Sequence, residues 1–205
     1  MHRRTFLSYT AGVVTLPSWI DVPQRSRIEL LDLEDNCCLR ESVAGYSGVL
    51  ADVGRAARRS VLIVPAAARI PEPPMRTIVH SLQAGAVVIL ESGTGFASEQ
   101  DFRAHRDALR DSLAVRVSAL VQLWPRRTPY VDYSWPHAAK LRDFSRVIPL
   151  DQPTGETIGF ADGQPVALRR QVGRGTLIFL GSPLGPALWA GDADAKRWLL
   201  DVVRS

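Results

Sequence analysis

Three observations predict an α/β fold. Two apolar runs, "SVLIVPAA" (60–67) and "AVVILESG" (86–93), have the length and character of strands buried on both faces. Helix-like stretches with recognisable start and stop residues alternate with them. A strand–helix–strand alternation implies parallel strands joined by crossovers, with helices layered on the sheet. The expected architecture is a three-layer sandwich with a mainly parallel sheet and an antiparallel hairpin extension in the C-terminal half.

The elements follow in order. After a polar linker around "DVPQRSR", residues 27–33 ("RIELLDL") are a predicted first strand. "RESVAGYSGVLADVGRAAR" (40–58) is helix-like, weakened by Gly45 and Gly48. The strand 60–67 comes next. "PEPPMRTIVHSLQAG" (71–85) fits a helix with prolines at its start and Gly85 as C-cap. The strand 86–93 leads to "SEQDFRAHRDALRDSLA" (98–114), a helix with Ser98 as N-cap, acids in its first turn, and Phe102, Leu109 and Leu113 on one face. "VRVSALVQLW" (115–124) reads as a strand, and residues 125–150 are aromatic- and proline-rich with little periodicity. From Glu156 the chain reads as antiparallel β, with turns at "ADGQP" and "VGRG". "GDADAKRWLLDVV" (191–203) closes as a helix with Asp192 as N-cap and Trp198, Leu199, Val202 and Val203 on its buried side.

A chain of 205 residues is long enough for one well-buried core. Hydrophobic content of 46% and charged content of 22% are those of an ordinary globular protein. The formal charge is +4, but acids interleave with the arginines, as in "EQDFRAHRDALRD", so no basic stripe for nucleic acid is expected. The two cysteines, Cys37 and Cys38, are neighbours, which excludes an ordinary disulfide framework. The four histidines are scattered without metal-ligand spacing. Asp32, Glu34 and Asp35 carry hard oxygen ligands near one strand end, an arrangement more often solvated surface than a cation site. No metal and no cofactor are expected.

The opening "MHRRTFLSYTAGVVTLPSWIDVPQ" sets charge before a short apolar run, the layout of an export signal. "HRRTFLS" resembles the twin-arginine signal at Arg3, Arg4, Phe6 and Leu7, and departs from it at His2 and Ser8. The apolar run is shorter than the roughly 20 residues a spanning helix needs. No small-x-small cleavage site precedes Pro23. Residues 1–26 are therefore expected to be an export signal, or a retained anchor to a membrane or partner. That places the protein in the periplasm or on the outer face of the cytoplasmic membrane. Residues 27–205 form a single domain.

From about Arg27 onward, the layout, with its late hairpin "GQPVALRRQVGRGTLIFLGS", resembles the class I glutamine-amidotransferase-like domain, a flavodoxin-like fold. The resemblance implies a cysteine nucleophile in a strand–turn–helix elbow, flanked by glycines two residues away, and an H-x-E pair beyond a late strand. At the corresponding place "LESGTG" carries Ser92, with Leu90 and Thr94 at the flanking positions. The late segment "GSPLGPALWAGD" has no histidine. The implied protein is a domain of this type without its catalytic residues. Ser92 is then a turn residue, and Glu91 either caps a nearby helix or faces a cleft.

"PYVDYSWPHAAKLRDF" is the most distinctive polar-aromatic stretch. Tyr130, Tyr133, Trp135 and His137 suit a ligand groove or a protein interface, and equally a loop packed over a sheet edge. With Glu91 and Ser92 they are the candidate binding residues. Three functions follow. The favoured one is a non-catalytic exported accessory or binding subunit, held to protein partners in a membrane-associated assembly. The alternatives are a hydrolase using Ser92, Cys37 or Cys38 with Glu91 and His137, and a sugar- or metabolite-binding domain.

Overall fold

The computed structural model describes residues 28–33, 40–122, 130–142 and 146–205. The signal residues Arg3, Arg4, Phe6 and Leu7, together with Glu34, Asp35, Cys37 and Cys38, lie outside the described residues.

The two apolar runs become β2 (Val61–Ala67) and β3 (Val87–Ser92), every residue of which is buried. They pair in parallel from Val61–Val87 to Val64–Leu90. β1 (Ile28–Leu30) adds in parallel outside β2. On the other side of β3 lies β10 (Gly175–Leu180), also parallel, in register from Thr176–Val87 to Leu180–Glu91. Beyond β10 the direction alternates. β9 (Gln164–Val172), β8 (Glu156–Ala161), β5 (Tyr130–Tyr133) and β6 (Ala139–Arg142) each pair antiparallel with the strand before. The order across the eight strands is β1-β2-β3-β10-β9-β8-β5-β6. A separate two-stranded ladder joins β4 (Val121–Gln122) to β7 (Arg146–Val147).

This corrects the expected mainly parallel sheet: three of the ladders are parallel and four antiparallel. Residues 130–142, expected to lack periodicity, are the reason. They form a hairpin that extends the sheet by two strands, and with β8 and β9 they make half of it antiparallel. The flavodoxin-like expectation is corrected on topology as well. β1, β2 and β3 lie side by side in chain order, with none of the order reversal that makes a ligand crevice in such sheets.

Helices cover both faces. On one, α1 (Arg40–Ala56), α4 (Gly185–Trp189) and α5 (Ala193–Arg204) bury Tyr46, Val53, Trp198, Leu199 and Val202 against Ile63, Ile89 and Ile178. On the other, α2 (Glu72–Ala84) and α3 (Glu99–Leu113) bury Ile78, Leu82, Leu109 and Leu113 against Leu62, Val88 and Phe179. Alternate strand residues thus feed two separate cores. The caps fall where the residue types place them. Gly85 takes φ 99° after α2, Ser98 Oγ accepts from the Asp101 N–H, and Asp192 accepts from the N–H groups of Asp194 and Ala195.

The glycine that weakens α1 on paper has a packing role. An added Cβ at Gly45 would overlap the carbonyl oxygen of Gly185, and one at Gly185 would overlap the Cα of Ser42. Two glycines therefore let the backbones of α1 and α4 touch. Gly48 faces open space instead. Thermal melts of the two alanine variants should move in opposite directions. Gly45→Ala should lose about 1–3 kcal/mol through overpacking. Gly48→Ala should gain roughly 0.5–1 kcal/mol by restricting the unfolded chain and favouring helix.

Candidate functional site

The carboxyl edge of the parallel strands is where an α/β ligand site is first sought. Here it is filled from within. Glu91, near the end of β3, is fully buried. Its Oε1 accepts from the Tyr46 hydroxyl at 2.6 Å and from the N–H groups of Leu184 and Gly185 at 2.7 and 3.0 Å. Its Oε2 accepts from Ser42 Oγ at 3.2 Å and from the Ala66 N–H at 3.1 Å. Ala66 takes φ 38°, where β2 changes register against β3 between Val64 and Ala67. Burial pushes the Glu91 carboxyl above its ordinary value, opposed by the Tyr46 hydroxyl and the three backbone N–H donors. Burial and the Glu91 carboxylate also hold the Tyr46 phenol well above its usual range. The group caps the start of α4 and ties it to α1 and β2. With both oxygens occupied, it has no free lone pair to aim at a substrate.

Ser92 is buried too, and its Oγ lies 2.7 Å from His105 Nε2. Among the described residues this is a serine–histidine contact of nucleophile–base type. Its chemistry argues against catalysis. His105 is 1% exposed, and burial holds its imidazole down at about 4, so it is a weak base at neutral pH. Its Nδ1 is buried without a hydrogen-bond partner, so no acid orients the ring or stabilises an imidazolium. Phe96 packs on the ring with centroids 5.3 Å apart.

His137 does not reach this pair. Its Nδ1 lies 3.2 Å from Asp201 of α5, on the opposite face of the sheet from α3, which carries His105. The aromatics of the hairpin are divided among separate tasks. Tyr133 is buried against Trp198, ring centroids 4.5 Å apart. Tyr130 is half-buried under the Lys140 ammonium. Trp135 is half-buried, its carbonyl accepts from Trp198 Nε1 at 2.9 Å, and the Arg169 guanidinium lies 4.5 Å above its ring.

Trp135 and Arg169 mark an open concavity. Two hollows, of about 360 and 60 Å³, share Arg169 and Thr176 as lining. The larger is completed by Glu156, Arg170 and Gln171, the smaller by Arg59, Val87, Trp135, Ile178, Val202 and Ser205. Thr176 and Val87 are partners at the start of β10 and β3, so the concavity sits at the amino edge of the parallel strands, opposite Glu91. Arg169 is held between the Trp135 ring and Glu156, with its Nη2 2.7 Å from the carboxylate. Arg170 donates to Thr154 Oγ1 at 2.8 Å and to the Ala114 carbonyl at 3.3 Å.

No family model matches the chain, and no curated protein matches it in sequence. Solved structures do match in fold. The β-galactosidase of Rahnella sp. R3 aligns over 86% of this chain with a TM-score of 0.56 and 14% identity. An exo-β-1,4-mannosidase from Opitutaceae bacterium strain TAV5 aligns over 86% with a TM-score of 0.53 and 8% identity. A cytoplasmic protein of Salmonella typhimurium LT2 aligns over 74% of this chain and 73% of its own, with a TM-score of 0.52 and 12% identity. This chain shares its fold with a segment of glycosidases. It covers 30% of the galactosidase and 36% of the mannosidase. The expected likeness to a class I glutamine amidotransferase is corrected by these matches and by the mixed sheet. Among the described residues, no helix is long and apolar enough to cross a membrane.

Three of the six candidate binding residues, Glu91, Ser92 and Tyr133, are buried structural groups. Trp135 alone of the six lines a hollow described here. Arg169, Arg170 and Glu156 were missed, since nothing in "ETIGFADGQPVALRRQV" distinguishes lining residues from any exposed strand face. His105 was missed although a signal existed: it falls on the same helical stripe as Phe102 and Leu109.

Replacing Glu91 by Gln should leave at least one buried N–H without an acceptor and lower stability by about 1–3 kcal/mol in denaturant titrations. The His105 shift has a sign that can be checked. A depressed folded-state value means that the unfolded chain binds the proton more readily, so stability is complete above 6.5 and is lost as pH falls toward 4. Measured between neutral pH and pH 4, the native chain should lose about 3 kcal/mol more than His105→Gln.

Proposed function

We propose that this domain binds a saccharide at the Trp135–Arg169 concavity and does not hydrolyse it. The observation that carries the reading is the lining itself. An indole and apolar side chains form one wall, and planar polar groups (Glu156, Arg169, Gln171) with the Thr176 hydroxyl converge beside it. Sugars present apolar C–H faces between rings of hydroxyls, so they call for an aromatic or aliphatic wall next to fixed donors and acceptors. The polar hollow, about 360 Å³, falls within the range of small-ligand pockets, roughly 300–1,000 Å³, and shares Arg169 and Thr176 with the indole-walled hollow of about 60 Å³ beside it. The galactosidase and mannosidase that share the fold act on saccharides by their names, which supports the choice of ligand class.

The absence of hydrolysis is argued from the carboxyl edge. Glycosidases work with a pair of carboxyl groups that flank the scissile bond. Glu91 is enclosed by five donors, and the Ser92–His105 contact is closed to solvent. The concavity itself offers one carboxyl side chain, Glu156, engaged by Arg169.

Tryptophan fluorescence and calorimetric titration with β-galactoside and β-mannoside disaccharides test the reading. Binding should be saturable, and Trp135→Ala should weaken it about tenfold or more, the loss of roughly 1.4 kcal/mol or more of contact. Release of monosaccharide that disappears in Ser92→Ala or His105→Gln would replace this reading with the hydrolase alternative.

A further inference from the structure

We infer that the saccharide is an N-acetylated amino sugar, its acetamido group seated in the smaller hollow and its ring in the larger. This rests on the proposed saccharide site and names its ligand class. The two hollows lie on one face of the sheet. Arg169 pairs across strands with Glu156 and with Ile178, Gln171 pairs with Thr176, and Thr176 pairs with Val87. Residues paired in this way share a face. Val87, Ile178 and Val202 belong to the core under α5, and Trp135 packs against that same core.

The hollows differ in chemistry. The larger, about 360 Å³, is polar, with Glu156, Arg169, Gln171 and Thr176 in its lining. The smaller, about 60 Å³, presents the apolar groups of Val87, Trp135, Ile178 and Val202. Arg169 and Thr176 line both, and so stand at the junction.

Size narrows what the smaller hollow takes. At roughly 10–15 Å³ for each water-sized group, it has room for about four to six of them. A second pyranose, with about a dozen non-hydrogen atoms, is too large by the same measure. A hydroxyl fills one place and leaves the apolar walls uncovered. An acetamido group has the right extent, and it ends in a methyl that Val87, Ile178 and Val202 would take out of water. Its amide lies between ring and methyl, where the two shared residues stand. Glu156 engages Arg169 through Nε and Nη2, at 3.0 and 2.7 Å, which leaves Nη1 to donate to the amide carbonyl. Thr176 Oγ1 donates to Gln171 Oε1 at 3.4 Å, and its lone pairs can accept the amide N–H.

Calorimetric titrations of the intact chain with N,N′-diacetylchitobiose and with cellobiose test the inference. The two disaccharides differ only in acetamido groups that replace hydroxyls, one on each ring. Diacetylchitobiose should bind about tenfold tighter. Val87→Ile, which narrows the hollow, and Thr176→Val, which removes the hydroxyl while keeping its shape, should each bring the ratio of the two affinities toward one. Thermal melts close to that of the native chain check that both variants fold, and the native ratio decides even where one does not. Cellobiose binding as tightly as diacetylchitobiose, or a ratio indifferent to both variants, overturns the acetamido assignment and leaves the saccharide reading in place. No saturable binding of either disaccharide also overturns it, and the saccharide reading then stands or falls on the galactoside and mannoside titrations.

Discussion

The buried carboxylate of Glu91 is the interaction on which the architecture turns. Five donors from three places in the chain converge on it: two side chains of α1, one backbone N–H from the kinked end of β2, and two from the start of α4. An ionised carboxyl group can remain in an apolar interior only when its lone pairs are taken up. Conversely, each of those donors would be an unsatisfied buried group without it. The requirement runs in both directions. It sets the positive φ of Ala66, which turns its N–H toward the carboxylate, and it demands the close contact of α1 and α4 that Gly45 and Gly185 permit.

This arrangement has a cost in chemistry. The carboxyl edge of a parallel sheet is the ordinary place for a ligand, since strand ends and helix starts present unpaired polar groups there. Here the N–H groups at the start of α4 are spent on Glu91, and Ser92 is turned to His105 under Phe96. Polar groups at this edge are engaged in holding the fold together. His105 touches a serine hydroxyl at 2.7 Å, yet burial depresses its basicity and its other nitrogen meets nothing that would orient it.

Open space lies instead at the far end of the strands, where the antiparallel half joins the parallel half. β9 and β10 bring Arg169, Gln171 and Thr176 onto one face, β8 adds Glu156, and the β5–β6 hairpin lays Trp135 over the edge. None of these elements makes the concavity alone. The hairpin is anchored for the purpose: Tyr133 packs on Trp198, the Trp135 carbonyl accepts from the same indole, and His137 faces Asp201. The aromatic stretch is thus mostly a device for docking two strands onto α5, with one ring left at the rim.

By itself the sequence determined the local elements: the buried strands β2, β3 and β10, the helices α1, α2, α3 and α5, and the caps at Gly85, Ser98 and Asp192. These depend on residues near in the chain, through periodicity, backbone permission and capping, and such signals survive in a linear reading. Other features belonged to tertiary structure alone. The hairpin at 130–142 lacks a strong strand pattern because its pairing partner, β8, is more than twenty residues away. Partners for Glu91 come from residues 42, 46, 66, 184 and 185, and no local spacing announces such a meeting. The concavity is assembled from residues between 59 and 205. Burial is a property of distances in space, so the five hydrogen bonds that make Glu91 a clasp became legible only when the chain had folded.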